Sequence, residues 1–499
     1  MVSAAGLVDL IGPWADGADP LNEQLADALT RAIEVGLLPP GTRLPAEREL
    51  ARELALSRTT IVAAYDRLRL AGLARSRQGS GTRVAARRPG LFPPAPTPAE
   101  ETDTEAPLRI GRVVQPTGLG LFASAEPADA IQLTLGALPA GPAVAECVAT
   151  ALREDVPELL HELGYDPFGM PRLRIAIAGY LDRLGVPTDP DQILVTNGAQ
   201  QAVHLVASQL GGPGSAVVLE NPTYIGAIDA FRTTGNRLLP LPVDPDGPRV
   251  DVAGLLAAGA PVRLAYVVPT YHNPTGATMP EERRRELARA AAEYGFQVVE
   301  DLTPDASLGN GTPPPIAAFD PGDRVITIGS LSKLAWGGLR IGWIRAPRAD
   351  IDRLVAGRIV EDHASSLITQ AIGARVLERV DEVAAWTVAT ATERRRIVTD
   401  ALASRLPDWT WTMPAGGLAL WVGLPDADAV AFSRLAARHG VIVRPGPLAS
   451  PDGAFRDHIR IACGAEPDRL VEGVERLAAA WAEFAPGRRV GRAPLAVSV

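Results

Sequence analysis

Lysine occurs once in this 499-residue chain, at Lys333, within the segment ITIGSLSKLAWGGLRIGW. All the rest of the 49 lysine and arginine residues are arginine. Arginine replaces lysine wherever only a positive charge is wanted, but its guanidinium stays protonated and cannot attack a carbonyl. Schiff-base formation is the commonest chemistry that demands an amine able to lose its proton. A GC-rich coding style also depletes lysine, so the neighbourhood decides. Several other residues that could do chemistry follow short apolar runs. After ILVT come Asn197, Gly198, Ala199 and Gln200, which open a helix and offer backbone amides suited to a phosphate. VVLENPTY delivers the flat ring of Tyr224, VVPTYHNPTG delivers Asn273, and VVED delivers Asp301. ITIGSLSK ends in Ser330, Ser332 and Lys333, with Arg340 seven residues on. Singly, each has an ordinary structural explanation: an Asn before Pro forms turns, an Asp after a strand caps helices, a Tyr packs.

The elements that must position these residues begin near Ile131. From there QILVTNG, AVVLENP, RLAYVVPT, FQVVEDL and RVITIGSLS read as strands, with helical stretches such as PEERRRELARAAAEYG between them. Strand–helix alternation predicts an α/β fold with a mostly parallel sheet covered on both faces. In such sheets ligands bind at the carboxyl ends of strands, which is where the residues above fall.

The N-terminal part has a different character. Residues 20–38 put Leu25, Leu29 and Ile33 on one helical face, and PPGTRLP then breaks the helix. AERELARELAL forms a second helix with Leu50 and Leu54 inward. Ser57 caps a third, RTTIVAAYDRLRLAG, whose buried side carries Ile61, Tyr65 and Leu68. LARSRQGSGTRVA follows as two short strands around Gly79-Ser80-Gly81, which completes a winged helix-turn-helix. The chain's net charge is −9, yet Pro39–Arg88 holds eleven arginines against Glu47, Glu49, Glu53 and Asp66, a local +7. The global charge argues against nucleic-acid binding but the local one does not, and the asymmetry suggests a small basic module joined to a large acidic body. From Arg87 to about Pro127, dense Pro, Thr and Glu without a sustained period predict a linker. The expected organisation is therefore a DNA-binding domain at 18–86, a linker at 87–127 and a large body at 128–488 with a smaller C-terminal domain from about 375.

Hydrophobic content of 46% with 21% charged residues describes a globular protein. The N-terminal stretch MVSAAGLVDLIGPW lacks the features of an export signal, and no apolar run approaches the roughly 18 residues that span a bilayer. Cys147 and Cys463 lie far apart, without the spacing of a metal site or disulfide framework. A cytoplasmic location without membrane association is expected, and no metal.

The segment 20–86 resembles the GntR family of DNA-binding domains, which carries the PPGTRLPSERELA…SRTTV pattern and a GSGT wing. That resemblance implies that the third helix enters the major groove of an operator, with Ser57, Arg58, Thr59 and Thr60 near bases and phosphates. Arg48, Arg77 and Arg83 would meet the DNA backbone. From about residue 131 to 485, GYDPFGMPRLRIAIAGYL, NGAQQA, HNPTG, SLSK…GGLRIGW, PAGGLALW and HIRIACG stand in the order of the fold-type I aminotransferases, which bind pyridoxal 5′-phosphate (PLP). The resemblance implies that Lys333 forms a Schiff base with PLP, Asp301 pairs with the pyridine nitrogen, Asn273 bonds the ring oxygen and Tyr224 stacks on the ring. Ser330, Ser332, Arg340 and the amides of Ala199 and Gln200 would hold the phosphate. Tyr165 would reach the site of the neighbouring subunit, and Arg460 would bind an amino acid's carboxylate as a bidentate pair. One departure stands out: the family has a tyrosine two residues beyond the aspartate, where this chain has Thr303.

Both halves together resemble the MocR subfamily of bacterial regulators, which implies a head-to-tail homodimer. The function implied is a transcriptional regulator that senses PLP, or its aldimine with an amine or amino acid. The alternative is a working PLP-dependent aminotransferase with an accessory DNA-binding domain.

Overall fold

The computed structural model describes residues 4–11, 14, 20–34, 38, 41–54, 56–70, 73–77, 81–84, 129–244, 247–248, 262–306, 308–309 and 311–488. The chain divides into two units, Met1–Leu108 and Arg109–Val499. The linker expected at 87–127 and the tip of the wing at residues 78–80 lie outside the described residues.

In the first unit, helices α1 (Ala4–Ile11), α2 (Leu21–Glu34), α3 (Glu47–Glu53) and α4 (Arg58–Leu70) precede strands β1 (Ala74–Arg77) and β2 (Gly81–Val84). Leu25, Leu29, Leu50, Ile61, Tyr65 and Leu68 form the core as the helical spacing predicts, with Ile33 and Leu54 packed at its margin. The Ser57 hydroxyl accepts the Thr60 amide at 3.1 Å, capping α4. Tyr65 keeps its hydroxyl satisfied by donating to the Pro45 carbonyl at 3.0 Å. β1 and β2 pair antiparallel from Ala74↔Val84 to Arg77↔Gly81. Sequence reasoning did not foresee α1, whose Leu7 is fully buried in the same core.

The second unit is built on an eight-stranded sheet. Its strands are β4 (Ile193–Thr196), β5 (Ala216–Asn221), β6 (Arg237–Asp244), β7 (Gly247–Pro248), β8 (Val262–Val267), β9 (Gln297–Asp301), β10 (Val325–Ser330) and β11 (Gly342–Arg345), in the order β4-β11-β10-β9-β8-β5-β6-β7. The five runs read as strands from the sequence are all strands, and β10, β9, β8, β5 and β6 pair in parallel. Two strands depart from the parallel expectation: β11 runs antiparallel between β4 and β10, and β7 antiparallel on β6.

Successive residues point to opposite faces, so Val298 joins one apolar cluster and Val299 the other. Helices α5 (Pro142–Glu154), α6 (Pro171–Arg183), α9 (Glu281–Tyr294) and α12 (Leu367–Glu378) supply the first cluster. Helices α7 (Ala199–Val206), α8 (Ile225–Thr233) and α11 (Arg348–Glu361) supply the second. Burial on both faces explains why the strands read as continuous hydrophobic runs. Helix α10 (Leu331–Leu334) follows β10 directly.

A smaller sheet of β12 (Thr410–Trp411), β13 (Ala419–Gly423), β16 (His458–Ala462) and β15 (Arg444–Pro445) packs on α14 (Ala429–Arg438) and α15 (Pro467–Arg488) with its own core, to which the parallel pair β3 (Ile131–Gln132) and β14 (Val441–Ile442) also contributes. The 26-residue α13 (Val380–Arg405) links the two: Val380 and Val383 belong to the large core, Val398 and Leu402 to the small one.

Candidate functional site

The carboxyl ends of β4, β8, β9 and β10 open onto a cavity of about 760 Å³ whose far wall comes from the small sheet. Its lining includes Ala199, Gln200, Tyr224, Asn273, Asp301, Lys333, Arg340 and Arg460. The fold thus brings eight of the eleven sequence-predicted residues for this site to one place.

Lys333 sits in α10 because β10 ends at Ser330, whose hydroxyl caps that short helix by accepting the Ser332 amide at 3.1 Å. Burial pulls the Lys333 amine down to about 8, helped by the charges of Arg460, Arg444 and Arg340. Asp301 ends β9 beside it. Strand alternation sends the adjacent Glu300 to the opposite face, where it accepts the Ile316 and Ala317 amides and the Thr327 hydroxyl. Asp301 accepts the Tyr266 hydroxyl at 2.6 Å and the Thr303 amide at 2.8 Å. Burial pushes its carboxyl above the usual range, while those bonds and the Lys333 charge pull it back.

At one end of the cavity Gly198, the residue that precedes α7 as its N-cap, is held at φ +84°. The first amides of a helix have no intrahelical acceptor, and here they belong to Ala199 and Gln200. The Arg340 guanidinium donates to the Asn197 carbonyl at 2.8 Å. A Cβ on Gly198 would meet that guanidinium at 2.7 Å, and one on Gly342 would meet the Gly198–Ala199 backbone at 2.5–2.7 Å. Gly342 thus has no room for a side chain against that backbone, and Gly198 holds a left-handed conformation that other residues rarely adopt. Tyr224 donates its hydroxyl to Gln200 at 2.9 Å. Ser330 and Ser332 stand behind the lining, the Ser330 hydroxyl also donating to the Ile341 carbonyl at 2.9 Å.

At the other end, Arg460 donates through Nε to the Asn273 side-chain oxygen and through Nη1 to the Thr134 carbonyl, both at 3.0 Å. The HNPTG loop and the PAGGLALW segment interlock there: a Cβ on Gly416 would strike the Tyr271 ring at 2.2 Å. Tyr165 lies away from this chain's cavity, 79% exposed, with its ring edge toward His363.

Several lining residues escaped sequence reasoning, Arg395, His272 and Arg444 among them. Arg395 is engaged with the Gly417 carbonyl at 2.5 Å. His272 is buried with its Nε2 3.1 Å from Glu220. Arg444 stands opposite Arg460 across β15 and β16. Tyr266, behind Asp301, escaped too; inside the apolar run RLAYVV it reads as core. For Arg444 a signal existed, since a charged residue inside VIVRPG interrupts an otherwise apolar strand.

In the first unit, Ser57, Arg58 and Thr59 are exposed at the start of α4 and Thr60 is half-buried. The Ser57 hydroxyl also bonds those of Thr59 and Thr60, at 2.7 and 2.8 Å. Arg58 pairs with Glu47 at 3.3 Å, and Arg48 is exposed on α3. Arg83 is exposed on β2 and donates to the Gly41 carbonyl at 3.0 Å; Arg77 is the last residue of β1. Among the described residues, no helix is long and apolar enough to cross a membrane.

Two family models match the chain: bacterial regulatory proteins of the gntR family at residues 21–84, and aminotransferase class I and II at residues 129–477. The Bacillus subtilis protein named uncharacterized HTH-type transcriptional regulator YisV is 31% identical over 89% of this chain and 92% of its own length. The probable rhizopine catabolism regulatory protein MocR of Rhizobium meliloti is 32% identical over 71% of each chain. Among solved structures, the multiple substrate aminotransferase of Thermococcus profundus is 29% identical, with a TM-score of 0.67 over 76% of this chain and 97% of that one.

Proposed function

The chain belongs to the aminotransferase class I and II family, in a branch that carries a gntR-family regulatory domain, and from that premise we propose a transcriptional regulator that reads PLP or a PLP-bound amino acid in its large unit. The family is PLP-dependent, and the residues present suit that cofactor. What carries the reading is the chain's sole lysine, buried beside Asp301 with an amine near 8, in a polypeptide that begins with a winged helix. Lys333 would bind the cofactor covalently, Asp301 would face the pyridine nitrogen, and Tyr224 would lie against the ring. The Ala199 and Gln200 amides with Arg340 would hold the phosphate, with Ser330 and Ser332 shaping that end. Asn273, its oxygen taken by Arg460, would turn its NH₂ to the ring oxygen. Arg460 would hold an incoming carboxylate. Bound PLP supplies an aldehyde for amines and an electron-accepting ring. On the DNA side, Arg58, Thr59 and Thr60 would read the major groove, and Ser57, Arg48, Arg77 and Arg83 would meet phosphates.

Exposed Leu160, Leu163 and Val360, together with the outlying Tyr165, support a homodimer in which Tyr165 serves the partner's site. The domains would run 18–86 and 128–488, joined by the linker between them.

The gathering of Asp301, Asn273, Tyr224 and Arg460 around Lys333 supports a second reading, transamination as the main task. Steady-state assay of the PLP-loaded full chain with a panel of amino acids separates the two. The sensor reading expects far fewer than the roughly 10 turnovers per second of a median enzyme. Ketoacid production at that rate or above would overturn it.

A further inference from the structure

Gly198 lets the chain turn into α7, but glycine is also the residue with the most conformational freedom to lose, so it cannot hold that turn by itself. Its neighbours are fixed from outside. Asn197 is engaged at three points: its amide donates to Gln201 Oε1 at 2.7 Å, its side-chain NH₂ donates to Asp362 Oδ2 at 2.5 Å, and its carbonyl accepts Arg340 at 2.8 Å. Gln201, in the first turn of α7, gives its NH₂ to the same Asp362 oxygen at 2.7 Å, with Glu361 as a longer second acceptor at 3.4 Å. One carboxylate oxygen thus binds the residue before the glycine and a residue in the helix after it.

Asp362 is the C-cap of α11. A negative charge at a helix carboxyl end opposes the dipole there, so its presence calls for a compensating partner. Arg358, fully buried one turn earlier, is part of that compensation: its Nε donates to Asp362 Oδ1 at 3.1 Å and its Nη2 to the Ser365 hydroxyl at 2.7 Å. Burial holds the Arg358 guanidinium below its ordinary range, and the Asp362 charge offsets part of that. The ion pair occupies Oδ1 and leaves Oδ2 for Asn197 and Gln201. Those two residues line the cavity, and Asp362 stands behind them. A binding group is only as precise as the shell that supports it.

We propose that Asp362 is a positioning residue for the phosphate end of the cavity. Through Asn197 and Gln201 it holds the Gly198 turn in the conformation that aims the Ala199 and Gln200 amides, and Arg340, at a phosphate. This rests on the reading of that end as the phosphate site. Asp362 itself touches no part of the cofactor, so its effect falls on the phosphate and leaves the chemistry of the Lys333 amine alone.

The test compares the full chain with Asp362→Ala, Asp362→Asn and Gln201→Leu. It measures affinity for PLP and for inorganic phosphate, and the borohydride-trapped capture of pyridoxal at Lys333. Pyridoxal has the ring and aldehyde of PLP without the phosphate. Asp362→Ala should weaken both PLP and inorganic phosphate by about tenfold while pyridoxal capture stays as in the unaltered chain. Asp362→Asn keeps an acceptor oxygen for Asn197 and Gln201 and should recover part of the loss. Gln201→Leu added to Asp362→Ala should cost little more, since both act through one turn. Unchanged PLP and phosphate affinity in Asp362→Ala, or a loss of pyridoxal capture as large as the loss of PLP affinity, overturns the proposal. If that variant does not fold, Gln201→Leu decides: a fall in phosphate affinity with pyridoxal capture intact supports the proposal, and any other result overturns it. Failure of the underlying reading shows in the unaltered chain, as inorganic phosphate that does not compete with PLP, and it removes the proposal too.

Discussion

Among single residues, Lys333 matters most. Its amine, held near 8, is protonated in both the folded and unfolded chain at low pH. Between about pH 8 and 10.5 the unfolded chain keeps a proton that the folded chain has released. The group's contribution to stability therefore rises with pH through that window. The same depression predicts that covalent PLP capture by the cofactor-free protein climbs with pH to a half-maximum near 8. Borohydride trapping and peptide mass spectrometry across pH 6.5–9.5 would measure it, and with one lysine in the chain every lysine label falls at Lys333. A half-maximum near 10 would contradict the buried placement. Tyr266 was illegible in the sequence because a tyrosine in an apolar strand looks like core. Only the parallel register, Tyr266 beside Val299, brings its hydroxyl to Asp301. Tyr266→Phe removes a bond to a carboxylate, worth about 1.5–3 kcal/mol. PLP affinity should fall roughly tenfold as Asp301 becomes easier to protonate. Unchanged affinity by fluorescence titration would mean that Thr303 and the backbone suffice. Thr303, the departure noted in the sequence, contributes its amide to Asp301, a bond that any residue there could make.

At the scale of elements, strand and helix identities were legible because burial on both faces or on one face leaves a pattern in composition. Strand direction was not. Nothing in RIGWIRAP says that β11 returns antiparallel between β4 and β10, since an apolar run has no polarity. That return puts Gly342 against the turn where α7 begins, and the element's function depends on the missing Cβ. Gly342→Ala should push the Gly198–Ala199 backbone outward and weaken retention of the cofactor phosphate by about tenfold or more, since the obstructing atoms are backbone and cannot swing aside. Competition with inorganic phosphate reports on that end of the cavity alone. Equal phosphate affinity in the variant would show that the α7 amides do not form the cradle. Helix α1 was missed for a related reason: a short apolar stretch at a chain start gives no periodicity long enough to read.

At the scale of the whole molecule, the arginine-rich helices and strands at residues 21–84 belong to one unit and the cavity that holds Lys333 to the other. A ligand in the cavity changes DNA affinity only if it binds the DNA-competent and incompetent arrangements unequally, and the coupling works equally in reverse. Such couplings are typically about 5–150-fold. The most direct test measures the affinity of the full-length protein for DNA from its own upstream region as PLP is titrated, with cofactor occupancy followed in the same samples. If the large unit senses PLP, the affinity shifts by about fivefold or more in step with occupancy and stays constant in Lys333→Ala. Full occupancy with no change in DNA affinity, with and without amino acids, would contradict it.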